Sequence, residues 1–463
     1  MAGTKVVDPP NAVAPETGRK IARSARACAL AVIRRVFEQG AWADRALHGE
    51  ATRLGLSARE RALAMRLAYG TVQRRATLDH LIEAFAGRPV ERLEPLVLAA
   101  LRLGLYQLAY LDRVPAHAAV GESVELVKDV SPGGAKLVNA VLRRGAREAA
   151  GAVAALGDTT PAQAALRHSH PEWIAGLWFE ALGPDAARAL MAAGNEPAES
   201  AVRVNTLLAD PATLAGRLPV GSRPADGLPE GLVLTEPFDA FDSPLWAEGC
   251  LMPQSRAAMA VGRLLAPRPG ERVLDLCAAP GAKTTHLAAL MEGRGTVVAV
   301  ERHGGRAEAL RRTAARMGAG AVVEVRRGDA TARQEPDSYD RVLVDPPCSD
   351  LGTLASRPDA RWRKPADLPA RLAVEQAAIL RAAAGALKPG GTLVYSTCTI
   401  SPAENEAVVQ AFLAERRDFG ADDLRRDVPL WEHARVPAFA QTLPHRDGTE
   451  GFFIARLRRR AMP

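Results

Sequence analysis

The stretch RVLDLCAAPGAKTTHLAALM, residues 272–291, decides the fold of the C-terminal half of this 463-residue chain. RVLDL (272–276) is an apolar run of strand length, and a helix at 282–291 follows a loop of small residues. A second strand, TVVAV (296–300), leads into a second helix at 306–317. Short apolar strands that alternate with helices predict an α/β domain with a doubly wound, Rossmann-like parallel sheet.

The same alternation continues towards the C-terminus. The further predicted elements are strands at 321–325, 341–344 and 392–395 and a long helix at 368–387. A Pro-Gly-Gly turn at 389–391 ends that helix. GFFIARLRR (451–459) alternates with period two, which predicts a final antiparallel strand at the edge of the sheet.

The N-terminal part has a different character. Residues 19–150 are rich in Ala and Arg, and the stripe Leu98, Leu101, Leu105 and Leu108 is typical of an amphipathic helix. This segment holds 22 Lys and Arg against 13 Asp and Glu, an excess of nine that is larger than the +7 of the whole chain. We therefore predict an all-α domain that binds nucleic acid, although such arginines also occur on helix faces that only contact water.

These patterns divide the chain into segments. Residues 1–18 form a tail rich in Pro and small residues, which we expect to be disordered. The all-α domain at 19–150 ends at a connection of small residues, 149–162. We predict a small α+β domain at 163–260 and the α/β domain at 261–460.

Composition excludes several classes of protein. Hydrophobic residues make up 48% and charged residues 24%, as in globular proteins, and no uncharged apolar run is long enough to span a membrane. An odd number of cysteines, five, argues for a reducing, cytoplasmic location. Without a CxxC pair or a Cys/His cluster we expect no metal, and we expect a monomer.

The loop DLCAAPGAKTTHLA (275–288) joins the first strand to the first helix and suits a nucleotide-like ligand. Small residues allow close approach to its backbone: Ala278, Ala279, Gly281 and Ala282. The helix N-terminus supplies free N–H donors, and Glu301 ends the next strand, where an acid commonly binds ribose. Asp329 could contact an adenine. Because GxGxxG is absent, a ligand without pyrophosphate such as S-adenosylmethionine fits better than a dinucleotide, although a dehydrogenase remains compatible.

Two cysteines follow strands in this domain: Cys348 in VDPPCSDLGT (344–353) and Cys398 in VYSTCTISPAENE (394–406). Parallel strands bring both to the ligand-binding edge of the sheet. A thiolate that adds to carbon 6 of cytosine makes carbon 5 nucleophilic, so two thiols beside a rigid Asp345-Pro-Pro turn predict covalent chemistry on a base. Local positive charge should lower the pKa of the thiol, from Lys283 or a helix beginning near Pro402. Alternatively the cysteines are small buried apolar residues, or the Asp-Pro-Pro turn methylates an amino group and does not need Cys398.

Together these motifs resemble the NOL1/NOP2/Sun family of RNA 5-methylcytosine methyltransferases. DLCAAPGAKT is similar to the family's donor loop, DPPCSDLGT to its fourth motif and YSTCTISPAENE to its sixth. RPDARWR (357–363) and DGTEGFFIARL (447–457) match as well. Residues 19–150, with AKLVNAVLRR (135–144), resemble a NusB-type RNA-binding domain, and this pairing is similar to the family members that methylate a cytosine of 16S rRNA.

The resemblance implies a role for each residue that matches a motif. Cys398 would be the nucleophile, Cys348 would assist release of the product, and Asp345 would contact ring nitrogen 3. The residues implied in binding the donor are Cys277, Ala278, Ala279, Pro280, Gly281, Ala282, Lys283, Glu301, Arg306, Asp329 and Asp345. Of these, Glu301 would bind the ribose and Asp329 the adenine.

This sequence departs from the family pattern at three places. Ala282 and Asp350 replace common glycines, and PQSRAAM (253–259) lacks the acid usual after its glutamine. If position 350 needs a positive φ, Asp tolerates it better than most residues. Two alternatives stay open: the same chemistry on tRNA or large-subunit rRNA, and a non-catalytic RNA-binding assembly factor.

Overall fold

The computed structural model describes residues 24–461, so the predicted tail at 1–18 lies outside the described residues. Within that range the chain forms two compact units, one of residues 24–158 and 163–170, the other of 159–162 and 171–461. The predicted segments 163–260 and 261–460 thus fall mainly in the second unit. Among the described residues, no helix is both long enough and apolar enough to cross a membrane.

The first unit is helical, as predicted. The helices that begin before residue 170 are α1 (Ala25–Gln39), α2 (Ala43–Leu54), α3 (Ala58–Gln73), α4 (Arg75–Ala86), α5 (Pro95–Tyr110), α6 (Ala116–Lys128), α7 (Pro132–Ala154) and α8 (Pro161–His168). Leu101 and Leu105 of the predicted stripe are fully buried. At Gly104 a Cβ would lie 2.4 Å from Leu142 Cδ1, so this glycine lets α5 and α7 pack closely. Because α7 continues to Ala154, the predicted connection at 149–162 is helical over its first six residues.

The second unit begins with a small α+β region. Its elements are α9 (Glu172–Leu182), α10 (Pro184–Ala193), β1 (Ala201–Val204), α11 (Pro211–Arg217), β2 (Ser222–Ala225), β3 (Leu228–Leu234), α12 (Pro244–Ala247) and β4 (Leu251–Pro253). The strands form an antiparallel sheet in the order β2-β3-β1-β4. Arg203 of β1 is fully buried and donates to Gln254 Oε1 (2.9 Å) and Thr285 Oγ1 (3.0 Å). The bond to Thr285 joins the small sheet to the helix Ala282–Leu290 of the α/β region.

The α/β region completes the second unit. Its elements are α13 (Arg256–Leu265), β5 (Arg272–Leu276), α14 (Ala282–Leu290), β6 (Thr296–Glu301), α15 (Gly304–Arg316), β7 (Val323–Arg327), β8 (Tyr339–Val344), α16 (Leu368–Ala386), β9 (Leu387–Thr397), α17 (Glu406–Glu415), β10 (Phe419–Ala421), β11 (Ala440–Thr442), α18 (Pro444–Asp447) and β12 (Phe452–Arg459). Strands β7-β6-β5-β8-β9 are parallel neighbours. Val273 and Leu274 are both fully buried and belong to separate apolar clusters, because helices cover both faces.

Two predictions about the C-terminal part are wrong. β12 is antiparallel to its neighbours, as predicted, but it is not an edge strand, because it pairs with β9 on one side and with β10 and β11 on the other. The Pro-Gly-Gly segment at 389–391 is not a turn between helix and strand, because β9 begins at Leu387 and runs through it. Gly390 has φ +78° there, and the β8–β9 register shifts nearby, so the glycines allow an irregular strand to form.

Candidate active site

The two predicted thiols meet at the carboxyl edge of the parallel sheet. Cys398 directly follows β9 and Cys348 lies four residues after β8, and these strands are parallel neighbours. The Sγ atoms of Cys348 and Cys398 lie 3.3 Å apart, and both side chains are partly buried. Both cysteines line a cavity, although Cys398 also packs against the apolar core. A pair of sulfurs open to a cavity fits chemistry better than packing alone.

Three segments that are distant in sequence hold the backbone around the thiols. Gly352 N–H donates to Cys398 O (3.0 Å), and Gly451 N–H donates to Gly352 O (2.9 Å). A Cβ at Gly352 would lie 1.9 Å from Gly451 O, so only glycine permits this approach. The motifs DPPCSDLGT, YSTC and DGTEGFF therefore form a single structure.

A buried carboxylate, which sequence reasoning did not single out, fixes the loop after β8. Glu404 is fully buried and accepts from Ser349 N–H (2.8 Å), from the Ser349 hydroxyl and from Gln376 Nε2 (3.1 Å). Gln376 also donates to Pro347 O (2.8 Å), and Tyr395 OH donates to Glu404 O (2.6 Å). Burial raises the pKa of Glu404 although these donors lower it. Its place within the quoted PAENE stretch was the available signal.

Asp345 faces the same cavity as half of an ion pair. Its Oδ2 lies 2.8 Å from Lys283 Nζ, and its Oδ1 accepts from Ser396 Oγ at 3.0 Å. The Lys283 ammonium also lies 5.2 Å from the centre of the Phe452 ring. Burial lowers the pKa of Lys283, but the charge and hydrogen bond of Asp345 raise it by more. The pKa of Lys283 is therefore raised overall. A charged donor and a charged acceptor are thus held side by side.

The expectation that the pKa of the nucleophilic thiol is lowered is wrong. The pKa of Cys398 is raised by the hydrogen bond with Cys348, by burial and by the nearby charges of Cys348, Asp350 and Asp345. Lys283 does not offset these effects because Asp345 already pairs with it. The helix expected near Pro402 begins at Glu406.

Asp350 is another side chain whose contribution the sequence did not reveal. It adopts φ +51°, which confirms that this position uses the left-handed region. Within residues 24–461, one group of three His, Cys, Asp or Glu side chains is close enough to share a metal ion. It consists of Cys348, Asp350 and Cys398. Lys364 Nζ already lies 3.3 Å from Asp350 Oδ2, which disfavours a cation. The absence of a metal stays a prediction.

The loop between β5 and α14 forms the other wall of the cavity. Gly281 has φ +106°, and a Cβ there would lie 2.5 Å from Leu310 Cδ1, so this position requires glycine. Cys277 also has a positive φ, +66°, and burial raises its pKa to about 12. Ala278 N–H donates to Val300 O (3.0 Å) and ties the loop to β6. The bend exposes the loop backbone to a ligand.

The predicted ribose and adenine residues lie along this wall. Glu301, which ends β6, is buried and accepts from His303 N–H (2.8 Å). Arg306 lies 3.4 Å from Glu301 Oε2 and donates to Ala279 O (2.7 Å), so it joins the loop to β6. Asp329 is exposed, and bonds from the backbone and hydroxyl of Thr331 lower its pKa. A carboxylate thus lies at the end of β6, and another lies two residues after the end of β7.

Most of the predicted site residues surround one cavity of about 740 Å³. The predicted site residues that line it are Cys277, Ala279, Pro280, Ala282, Lys283, Glu301, Arg306, Asp329, Asp345, Cys348 and Cys398. Ala278 and Gly281 are not in its lining. They fix the conformation of the loop, Ala278 through its bond to Val300 O and Gly281 through its positive φ. Gln254 and Ser255 of PQSRAAM also line it, although the sequence offered no role for them. A cavity of this volume accommodates a ligand the size of a nucleoside together with a base.

Comparison with known families agrees with this division of the chain. Residues 262–458 match the family described as 16S rRNA methyltransferase RsmB/F. Residues 23–147 match the NusB family, and residues 170–240 match the RsmF/B-like methyltransferase ferredoxin-like domain. The helical, mixed and α/β parts of the chain thus each have a match.

Relatives from bacteria resemble this chain over almost its whole length. It is 37% identical to the probable ribosomal RNA small subunit methyltransferase B of Synechocystis, covering 94% of this chain and 99% of that protein. It is 36% identical to the protein of the same name in Bacillus subtilis, covering 88% and 92%. The crystal structure of PH0851 superposes with a TM-score of 0.80 at 25% identity, covering 94% and 99%.

Proposed function

Since the chain belongs to the RsmB/F family of RNA methyltransferases, we propose that it transfers a methyl group from S-adenosylmethionine to carbon 5 of a cytosine in 16S rRNA. The nucleophile is Cys398, which forms a covalent adduct with the base. The observation that supports this most directly is the pair of sulfurs, 3.3 Å apart, in a cavity that also contains Asp345. Amino methylation through the Asp-Pro-Pro turn would not need two thiols there.

The residues around the donor loop fit S-adenosylmethionine. The bent backbone at Gly281 leaves room for the methionine part, the carboxylate of Glu301 lies in the cavity wall to accept from ribose hydroxyls, and Asp329 lies beyond it for the adenine amino group. No triphosphate loop is present in the sequence. When bound, this donor supplies a methyl group on a positively charged sulfur.

Carbon 5 of cytosine is itself a poor nucleophile and does not take a methyl group readily. The enzyme must therefore supply a nucleophile that adds to the ring and activates carbon 5. Addition of Cys398 Sγ to carbon 6 moves electron density to carbon 5, which then takes the methyl group. A base removes the carbon 5 proton, which is finally released to solvent. The C5–H electron pair re-forms the double bond between carbons 5 and 6, and the C6–S pair returns to the sulfur of Cys398. Cys348, whose sulfur is adjacent, assists that release.

The Asp345–Lys283 pair binds the pyrimidine ring. The addition places negative charge on ring nitrogen 3 and its neighbouring oxygen, and a preorganised donor stabilises such charge. Lys283 Nζ and Asp345 Oδ2, 2.8 Å apart, present a donor and an acceptor side by side. This pair would contact N3 and orient the ring so that carbon 6 faces the thiols.

The RNA must present an unpaired or extruded cytosine, since a stacked base cannot reach a buried thiol. The basic helical unit would hold the surrounding phosphates, and binding should weaken as salt increases. A different RNA as substrate, tRNA or large-subunit rRNA, would need the same cavity. The choice of 16S rRNA follows the description of the matching family, 16S rRNA methyltransferase RsmB/F, and the names of the relatives, which are small subunit rRNA methyltransferases.

Removal of each thiol tests the covalent mechanism. We expect Cys398→Ala to abolish methylation of 16S rRNA and to leave donor binding intact. Cys348→Ala should still form the adduct but release it slowly, so a donor-dependent band of protein linked to RNA should accumulate on a denaturing gel. Cys250→Ala is the matched control, because this buried cysteine packs in the apolar cluster of the small sheet.

Two outcomes would contradict the mechanism. Wild-type turnover by Cys398→Ala would exclude Cys398 as the nucleophile, and no shifted band for Cys348→Ala would remove its role in release. Bisulfite sequencing of rRNA from cells with and without the gene then gives the modified position. If cells without the gene lose a 5-methylcytosine from an RNA other than 16S rRNA and keep those of 16S rRNA, the choice of substrate is refuted.

A further inference from the structure

The carboxylate of Asp350 lies directly beside the proposed nucleophile. Asp350 Oδ1 is 3.1 Å from Cys398 Sγ and 3.6 Å from Cys348 Sγ. The residue adopts φ +51°, a conformation that L-residues rarely adopt and that often occurs at functional sites. A glycine would fit this backbone without strain, so the aspartate side chain carries a conformational cost.

The second oxygen of Asp350 contacts two cations. Oδ2 lies 3.3 Å from Lys364 Nζ and 3.5 Å from an Arg357 guanidinium nitrogen. Lys364 is largely buried, with 11% of its side chain exposed, whereas Arg357 is 57% exposed. These contacts fix the orientation of the carboxylate, so that one oxygen faces the two cations and the other faces the thiols.

The addition step requires an acceptor for the thiol proton. Five groups act on Cys398: Cys348, Asp350, Asp345, Lys283 and Arg357. The hydrogen bond with Cys348, burial and the charges of Cys348, Asp350 and Asp345 raise its pKa, so the sulfur carries its proton at neutral pH. Lys283 and Arg357 are cations, and Cys348 is itself a thiol. The oxygens of Asp345 already accept from Lys283 and Ser396, which leaves Asp350.

We propose that Asp350 is the general base that activates Cys398, an inference that rests on the proposed methyl transfer. The S–H bond breaks and its proton moves to Asp350 Oδ1 while a sulfur electron pair forms the bond to carbon 6. The displaced π pair of the ring spreads over carbon 5 and nitrogen 3. When the C6–S bond later breaks, its electron pair returns to sulfur, and Asp350 gives the proton back. The 3.1 Å separation is within the range for direct proton transfer.

Asp350→Asn tests this assignment because asparagine has the same shape, tolerates a positive φ and cannot accept the proton. The rate of adduct formation is measured in single turnovers with 16S rRNA that contains 5-fluorocytosine, since fluorine blocks the final elimination and retains the adduct. Asp367→Asn is the matched control, since this aspartate is 61% exposed and pairs only with Arg371 among the described ion pairs.

We expect Asp350→Asn to slow adduct formation at pH 7 by about 100-fold, a typical loss for a general base. Its rate should rise about tenfold per pH unit, because hydroxide must now remove the proton. The wild type and Asp367→Asn should stay flat from pH 6 to 8.5. A purely structural role for Asp350 would lower the rate without changing the pH profile.

Asp350→Gly provides a second variant that the backbone accommodates. Added formate should restore part of its rate, because a small carboxylate can occupy the space left by the side chain. A wild-type rate for Asp350→Asn at pH 7, a flat pH profile, or no rescue by formate would overturn the general-base role. Adduct formation by Cys398→Ala would instead refute the proposed function, so the two failures are distinguishable.

Discussion

Asp275 of β5 offers a test of the electrostatics beneath the donor loop. Its side chain is fully buried, and Oδ2 accepts from Thr284 Oγ1 at 2.6 Å. Oδ1 has no hydrogen-bond partner among the described residues. Burial raises the pKa of Asp275 from 3.8 to about 7, with a contribution from Asp345, while the bond from Thr284 and the charge of Lys283 lower it. The carboxyl group is therefore largely protonated in the folded protein below neutral pH.

The raised pKa reduces the stability of the wild type as pH increases. Between pH 3.8 and about 7 the unfolded chain loses this proton and the folded chain keeps it, so the free energy of unfolding falls as pH rises. The full loss above pH 7 is about 4 kcal/mol, from about 1.4 kcal/mol per pH unit. Asp275→Asn cannot ionise and avoids this loss. Its stability relative to wild type should increase by up to about 4 kcal/mol from pH 4 to pH 8.

Urea unfolding at several pH values, followed by tryptophan fluorescence, measures this difference. Five of the six tryptophans lie in the second unit, so the signal reports mainly on the unit that contains Asp275. Asp367→Asn controls for the loss of a surface carboxylate. Parallel stability curves for Asp275→Asn and wild type across this pH range would refute the reasoning, because they would mean that Asp275 ionises equally in both states.

Two further predictions concern the donor loop and the RNA. Gly281→Ala should weaken S-adenosylmethionine binding about tenfold or more by calorimetry, because a Cβ at φ +106° would meet Leu310 Cδ1 at 2.5 Å; unchanged affinity would show that the loop does not need this bend. Replacing Arg143 and Arg147, exposed on α7, with glutamine should reduce the slope of log affinity for rRNA against log salt by about one to two. An unchanged slope would place the phosphate contacts elsewhere.

Local sequence patterns were sufficient for much of the fold. The period of apolar residues predicted β5, α14 and β6 within about one residue of their observed ends, because these elements bury faces that the pattern alone defines. The prediction that β12 lies at the edge of the sheet was wrong. Strand neighbours depend on contacts between residues distant in sequence, here 387–397 and 452–459, which local periodicity does not encode.

The sequence by itself determined that both thiols and Asp345 lie at one edge of a parallel sheet, because parallel strands end at the same edge. Only the tertiary structure decided that Asp350 reaches Cys398 and that two cations hold its other oxygen. It also decided that the pKa of Cys398 is raised rather than lowered. The reason is physical: a pKa depends on burial and on every charge within a few ångströms, and folding alone brings those charges together.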